Sequence, residues 1–376
     1  MPQFVKNDII SLVSAAPRHD LAESVGPDLQ LGELLGADGA WEETGLGYAT
    51  AAGAPVLRAA IAGLHGVDAN DVVVTVGGIH ALFLLGYILC GRGEQAVITT
   101  PVFPPARDIL VSVGAKLRVL PAGFDDRYRL DPEKLARLLS PATRLVSLAS
   151  PQNPSGVALP RAVLGEVLSA MADRCPDAFL LIDETYRCAA FGDDAIAPSG
   201  ATMSPRVVVT GSLSKCHGVP GVRTGWAITR NAELREQLMI GKFSTVISNS
   251  AVDEMLGLRV LRRADEIIGD RRRRLGDGLA RTATWVERNA ALVEWVRPDA
   301  GALCCIRLRP DVFDDAGVMR FYAGLSRRDA RVGDGSWFGE EPRVFRLGFG
   351  FLAPDELDTA LDVLTATLQQ ARRNAA

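Results

Sequence analysis

Residues 207–226 read Val207-Val208-Val209-Thr210-Gly211-Ser212-Leu213-Ser214-Lys215-Cys216-His217-Gly218-Val219-Pro220-Gly221-Val222-Arg223-Thr224-Gly225-Trp226. The β-branched run at the start predicts a short buried strand. The chain then breaks into glycine and hydroxyl residues around one lysine, and Arg223 follows eight positions after Lys215. Such a loop at the end of a buried strand suits a phosphate lying beside a reactive amine. Ser212 and Ser214 carry hydroxyls that can donate to phosphate oxygens, and the guanidinium of Arg223 matches a phosphate bidentately. Lys215 is then left to form an imine with a carbonyl. Taken alone, the same pattern also fits a lysine solvated on a surface loop, so its meaning depends on the rest of the chain.

The chain has 376 residues, 48% hydrophobic and 23% charged, with a net charge of -4. That is ample for a large core, in two domains or in one with an appendage. The absence of a basic excess argues against nucleic acid as a partner and for small-molecule chemistry. Met1 to Asn7 lacks the charged-then-apolar pattern of a secretory leader, and no apolar run approaches the ~20 residues of a membrane span. The six cysteines (Cys90, Cys175, Cys188, Cys216, Cys304, Cys305) contain no Cys-x-x-Cys pair and no histidine at ligand spacing. No metal site or disulfide framework is therefore expected, and a cytoplasmic setting is the simplest one. Cys216, beside Lys215, reads as a packed small residue rather than a nucleophile.

Outward from the opening stretch, strands and helices alternate. Residues 72–76, 96–100, 116–120, 145–148, 178–182, 207–209 and 226–228 read as strands. Residues 55–64, 79–90 and 161–171 read as helices, and a further helix opens at Asp131-Pro132, with Asp131 as N-cap. Gly77-Gly78 reads as a turn before the second of these helices. The alternation implies a mostly parallel sheet covered on both faces. After about residue 230 long helices are expected over 254–261 and 265–289, then strands near 303–308 and 344–347 and a closing helix over 355–371. The run Arg271-Arg272-Arg273-Arg274 invites a polyanion reading, but its interleaved acids point to a solvated helix face.

In doubly wound folds, ligands bind beyond the carboxyl ends of the parallel strands, and several candidate residues fall there. Gly77-Gly78-Ile79 offers backbone N–H groups at a helix start, an anion site or simply a turn. Phe103, between Pro101 and Pro104, can stack on a heteroaromatic ring or join the core. Asn153, in Pro151-Gln152-Asn153-Pro154-Ser155-Gly156, can donate to a phenolic oxygen or merely form an Asn-Pro turn. Asp183 ends an apolar strand, where a carboxylate is costly unless paired. A helix cap or an ion pair would satisfy it, and so would a pyridinium nitrogen, which it would keep protonated. Tyr186, three residues on, can donate to the same ring's oxygen. Pyridoxal 5′-phosphate (PLP) carries the phosphate, aldehyde, ring nitrogen and phenolic oxygen that these readings require.

In this order and spacing, Asn153-Pro154-x-Gly156, Asp183-x-x-Tyr186 and Ser212-x-Ser214-Lys215 with Arg223 resemble the fold-type I PLP-dependent enzymes, specifically the class I/II aminotransferase family. The resemblance runs from about Asp20 to Leu368. It implies an α/β fold: a mostly parallel central sheet with helices on both faces, and a smaller α+β domain. Residues 1–44 would form an N-terminal segment packing with the small domain, 45–285 the large PLP-binding domain and 286–376 the small C-terminal domain. Lys215 would bind the cofactor aldehyde and shuttle a proton, Asp183 would pair with the ring nitrogen, and Asn153 and Tyr186 with the ring oxygen. Phe103 would stack on the ring, while Gly78, Ile79, Ser212, Ser214 and Arg223 would hold the phosphate. Tyr48, in the glycine-rich loop 45–53, would reach the partner subunit's phosphate in a homodimer with shared active sites. Arg346 would bind the substrate carboxylate, with Asn153 beside it, and Gly26 would let backbone approach the substrate. Gly77-Gly78-Ile79 departs from the family in lacking a hydroxyl or amide side chain at the phosphate turn. Gln152 and the Cys304-Cys305 pair are also atypical.

The expected function is transfer of an amino group between an L-amino acid and a 2-keto acid, with a specialised biosynthetic pathway left open. A PLP-dependent lyase, oxidase or cyclase uses the same cofactor site and is the alternative. A non-catalytic effector domain is disfavoured by the joint presence of Lys215, Asp183 and Arg346. With no second arginine in a position to select a dicarboxylate, a neutral or cationic amino acid is the expected substrate.

Overall fold

The structure, a computed structural model, describes residues 4–13, 16–35, 41 and 43–373. Residues 1–3 of the stretch read for a leader, and 14–15, 36–40 and 42 of the expected N-terminal segment, lie outside the described residues, as do 374–376.

Twelve strands are described: β1 (His19–Leu21), β2 (Val72–Val76), β3 (Gln95–Thr100), β4 (Lys116–Pro121), β5 (Thr143–Ala149), β6 (Phe179–Asp183), β7 (Val207–Ser212), β8 (Thr224–Thr229), β9 (Val293–Val296), β10 (Leu303–Leu308), β11 (Ala330–Asp334) and β12 (Val344–Gly348). They form two sheets. The larger has the order β2-β8-β7-β6-β5-β3-β4. Its pairs are parallel except for β8, which runs antiparallel to both β2 and β7. Side chains alternate across a strand, and here both faces find a core. Val72, Val74, Leu180, Ile182, Val207 and Val209 join one cluster, while Val73, Leu181 and Val208 join the other. Burial on both sides is why these strands read as unbroken apolar runs rather than as alternating ones.

The smaller sheet has the order β1-β11-β12-β10-β9 and is antiparallel but for β1 with β11. The N-terminal strand thus belongs to the C-terminal sheet. Asp20, only 2% exposed, is held there by Arg331, whose Nε and Nη2 reach its two carboxylate oxygens at 3.2 and 2.5 Å. The helix Ala264–Arg288 packs under this sheet through Ile268, Leu275, Leu279 and Trp285. Asp131 caps its helix as expected, accepting from the N–H groups of Glu133 and Lys134.

Three expectations need correction. Gly77-Gly78 is not a turn, because the helix starts at Gly77 and runs to Leu89. With φ at +71°, Gly77 makes the change from strand to helix in one residue, which a glycine allows without steric cost. Second, β9 and β11 went unforeseen. Both are short and carry charged residues among the apolar ones, Glu294 in β9 and Arg331 and Asp334 in β11, which weakens the alternation. Third, the arginine run 271–274 is not wholly solvated. Arg273 and Arg274 do pair with Asp270 on the surface. Arg271 is 8% exposed, turned inward, and donates to the Pro27 carbonyl.

Candidate active site

The candidate residues converge because parallel strands end together. Asp183 is the last residue of β6 and lies in register with Thr210 of β7 and Ala149 of β5. Ser212 closes β7, and Gly77 follows β2 directly. Phe103 and Asn153 sit just beyond β3 and β5. A cavity of about 770 Å³ opens over these ends. It is lined by Gly78, Ile79, Phe103, Asn153, Asp183, Tyr186, Ser212, Ser214, Lys215, Arg223 and Arg346.

At its floor, one oxygen of Asp183 accepts from the backbone N–H of Thr185 at 3.0 Å and from its hydroxyl at 2.6 Å. Burial raises the carboxyl's pKa, and these two bonds pull against it. Thr210, its register partner on β7, adds a further lowering influence, so the carboxylate is oriented from both neighbouring segments. Lys215 Nζ donates to Ser24 Oγ at 3.2 Å. Burial lowers its amine to about 8. Arg346 and Arg223 add to that fall, and Glu23 and Asp28 oppose it. A fraction of the amine is therefore uncharged near neutral pH, as a nucleophilic lysine requires.

Tyr186 is 5% exposed, and among the described residues its buried hydroxyl has no hydrogen-bond partner at bonding geometry, though Ser24 acts on it. Burial is the main reason its phenol is pushed up to about 12, so it stays protonated and able to donate. Arg346 lies on β12, 1% exposed. One terminal nitrogen donates to Asn153 Oδ1 at 2.9 Å and the other to the Ala22 carbonyl, while the guanidinium lies 4.8 Å from the ring centre of Phe338. Of its five N–H donors, three remain for a ligand. Because Asn153 spends its oxygen on Arg346, its Nδ2 hydrogens are left for another acceptor.

The opposite end of the cavity is a cradle of small groups. Gly225, in β8, allows the helix start at Gly77-Gly78 to approach closely: a Cβ built there would lie 2.3 Å from the Gly78 nitrogen. The helix Gly77–Leu89 points its first N–H groups at the same spot, where their dipoles favour an anion. Arg223 donates to the Pro220 carbonyl at 2.7 Å and packs against Gly77, with Ser212 and Ser214 beside it. With glycine at both Gly77 and Gly78, anion contacts at this helix start fall to the backbone.

Two expected residues stand apart. Tyr48 is 84% exposed and lines a separate cavity with Gly45, Gly47 and Met255. It is not among the residues that line the cavity over Lys215. Gly26 lies on the far side of Lys215, lining a void of about 20 Å³ with Tyr186, Cys216 and Arg271. Gln152 is buried and ties two strand ends together, donating to the Pro101 carbonyl and accepting from Ser155. Cys216 donates to the Thr185 carbonyl, and burial pushes its thiol well above the usual range. Cys304 and Cys305 face different cores.

Reading the sequence missed Thr185, Ser24, Glu23 and Phe338, each of which touches or neighbours a candidate residue. Thr185 was open to discovery, since a hydroxyl two residues after an aspartate commonly closes a local hydrogen bond. The others come from distant elements and leave no local pattern. The wall formed by Phe4, Val5, Ile9, Ile10, Leu12 and Val13 also went unread.

Among the described residues, no helix is long and apolar enough to cross a membrane, and no group of three or more His, Cys, Asp or Glu is placed to hold a metal. Residues 10–364 match the family described as Aminotransferase class I and II. The chain is 32% identical over 190 residues to an arginine–pyruvate transaminase of Pseudomonas aeruginosa, covering 48% of this chain and 47% of that protein. It thus spans about half the length of that relative. It is 28% identical to a capreomycidine synthase of Streptomyces vinaceus over 315 residues, 83% of this chain and 78% of that protein. A solved structure titled as the PLP-dependent cyclase OrfR superposes with a TM-score of 0.85 at 25% identity, covering 98% of this chain and 99% of the other.

Proposed function

This chain belongs to the class I and II aminotransferases, and from that premise we propose that it transfers an amino group between an L-amino acid and a 2-keto acid at the cavity around Lys215. Pyridoxal 5′-phosphate is the cofactor that goes with the family, and the residues fit it. Among the described residues the buried Tyr186 hydroxyl has no partner at bonding geometry, Asp183 places a buried carboxylate at the cavity floor, and the glycine cradle with Arg223 suits a phosphate. When bound, the cofactor supplies an aldehyde and an electron-withdrawing ring. Lys215 would hold it covalently. Asp183 would keep the ring nitrogen charged, with Asn153 and Tyr186 on the ring oxygen and Phe103 against the ring face. Ser212, Ser214, Arg223 and the N–H groups of Gly78 and Ile79 would hold the phosphate. Arg346, assisted by Asn153, would grip the substrate carboxylate as a fork and so present the Cα hydrogen to Lys215, whose amine, once free again, would take and return the proton.

The observation that carries this reading is the meeting of Lys215, Asp183 and Arg346 in one cavity. The test is a single-turnover reaction of holoenzyme with an amino donor. Transfer yields one equivalent of keto acid per site and stops until an acceptor keto acid is added. A specific observation favours a second reading, cyclisation or elimination on an amino acid side chain. The relative matched over the larger share of this chain, 83% against 48%, is a synthase and not a transaminase, and the superposed structure is that of a cyclase. Continued turnover without any acceptor would select that reading over transfer.

The functional unit under this proposal is a homodimer. The exposed hydroxyl of Tyr48 fits a role on a neighbouring subunit better than one in its own chain, and two-fold symmetry would give two equivalent shared sites. Mixing Lys215→Ala protein with an impaired Tyr48→Phe protein checks this. If the tyrosine crosses, the hybrid has one site in which both residues are native, and activity rises above that of either parent. No rise after confirmed subunit exchange, or a fully active monomer, rules the shared site out.

A further inference from the structure

The reading above assigns Asp183, Lys215, Arg223 and Arg346, and leaves three other charged residues on the cavity wall: Lys6, Asp108 and Glu23. Lys6 is exposed. Asp108 is already satisfied, with one oxygen on Arg107 at 2.8 Å and the other accepting from Asn7 Nδ2 at 3.3 Å. Glu23 is different. It is part-buried, and among the described residues its carboxylate makes no hydrogen bond or ion pair. Its backbone is fixed between two site contacts: the Ala22 carbonyl accepts from Arg346, and the Ser24 hydroxyl accepts from Lys215. Its charge is felt by both Lys215 and Arg346, opposing the fall in pKa that burial imposes on each. In the proposed reaction both of those cations are consumed, Lys215 by the cofactor and Arg346 by the substrate carboxylate. Glu23 is then a carboxylate in a largely apolar cavity with no cation to meet it, which is costly unless the substrate brings one.

The rest of the wall suits the stem of such a substrate. Ile9, Leu12, Ile79, Leu82, Phe83 and Ile109 surround the cavity with aliphatic and aromatic surface, against which a methylene chain packs while its charged end seeks a carboxylate. Resting on the aminotransferase-type reading of this site, we infer that Glu23 is a specificity-determining residue that selects an L-amino acid with a cationic side chain, an ω-amino or ω-guanidino group on an aliphatic stem. A dicarboxylic amino acid would meet repulsion at the same place.

Matched donors test this on the holoenzyme. Lysine against norleucine and ornithine against norvaline differ only in the terminal ammonium, and arginine supplies the guanidinium. The cationic member of each pair should have the higher kcat/KM, by about 10-fold or more, as a charge-assisted hydrogen bond provides. Glu23→Gln should collapse that ratio by about 10- to 100-fold, chiefly through KM for the cationic donors. Glu23→Asp, which keeps the charge on a shorter stem, should retain part of the preference. Preference for the neutral member in the native protein overturns the inference. So does an equal loss on both members in Glu23→Gln, since Glu23 would then act through Lys215 and not on the side chain. These outcomes leave the functional reading standing, whereas failure of every donor would defeat that reading itself.

Discussion

Lys215→Ala is expected to lower turnover by ~10⁴-fold or more, the upper end of what a positioned acid–base group contributes. The expectation rests on the lack of a substitute. Of the cations lining the cavity, Arg223 is turned to Pro220 and Ser214, Arg346 is held by Asn153 and Ala22, and Lys6 is exposed. Neither guanidinium deprotonates in a protein, so neither can replace a neutral amine. The lowered amine of Lys215, about 8, is the feature that makes it fit for both attachment and proton transfer. Steady-state assays with the best donor, together with borohydride reduction and peptide mapping, measure the two roles separately. The label should fall on Lys215 in the native protein and vanish in Lys215→Ala. A label on another residue, or a variant within about 10-fold of native turnover, sinks the assignment, because such a loss is below the 10²-fold floor for an acid–base group.

How much of this was legible in the sequence depended on how local each feature is. The inner strands of the larger sheet were readable because burial on both faces leaves continuous apolar runs such as Val72–Val76 and Phe179–Ile182, and the site residues were readable because they follow those runs directly. The smaller sheet was less so. Its β11, with Arg331 facing Asp20 across more than three hundred residues, carries a charge that looks like surface until its partner is known. Arg271 misled for the same reason. Its neighbours Arg273 and Arg274 do lie on a solvated face, and only the fold brings Pro27 close enough to draw Arg271 in. Ser24 and Glu23 gave no signal, since nothing in residues 20–27 indicates that Lys215 and Arg346 will pack against them.

Asp183→Asn is expected to leave the cofactor bound and the fold intact while reducing turnover by ~10²- to 10³-fold, the scale of a lost electrostatic partner in a water-poor site. The substitution is conservative in shape. The amide oxygen can still accept from the Thr185 N–H and hydroxyl, as the carboxylate oxygen does at 3.0 and 2.6 Å. What changes is the other terminus, where an NH₂ group replaces an oxygen. A donor there cannot accept from a protonated ring nitrogen, so the ring would lose its charge and with it the capacity to draw electrons from the substrate. Burial works in the same direction as protonation of Asp183, and the Thr185 bonds oppose it. Thr185→Val, which removes the hydroxyl and keeps the volume, should therefore act on the same step through Asp183, with a smaller loss of about 10-fold. The measurement is turnover at saturating donor alongside the absorbance of the bound cofactor. Near-native turnover in a folded, cofactor-loaded Asp183→Asn protein removes Asp183 from the ring nitrogen. A loss in Thr185→Val as large as in Asp183→Asn would mean that geometry, not charge, is what Asp183 supplies.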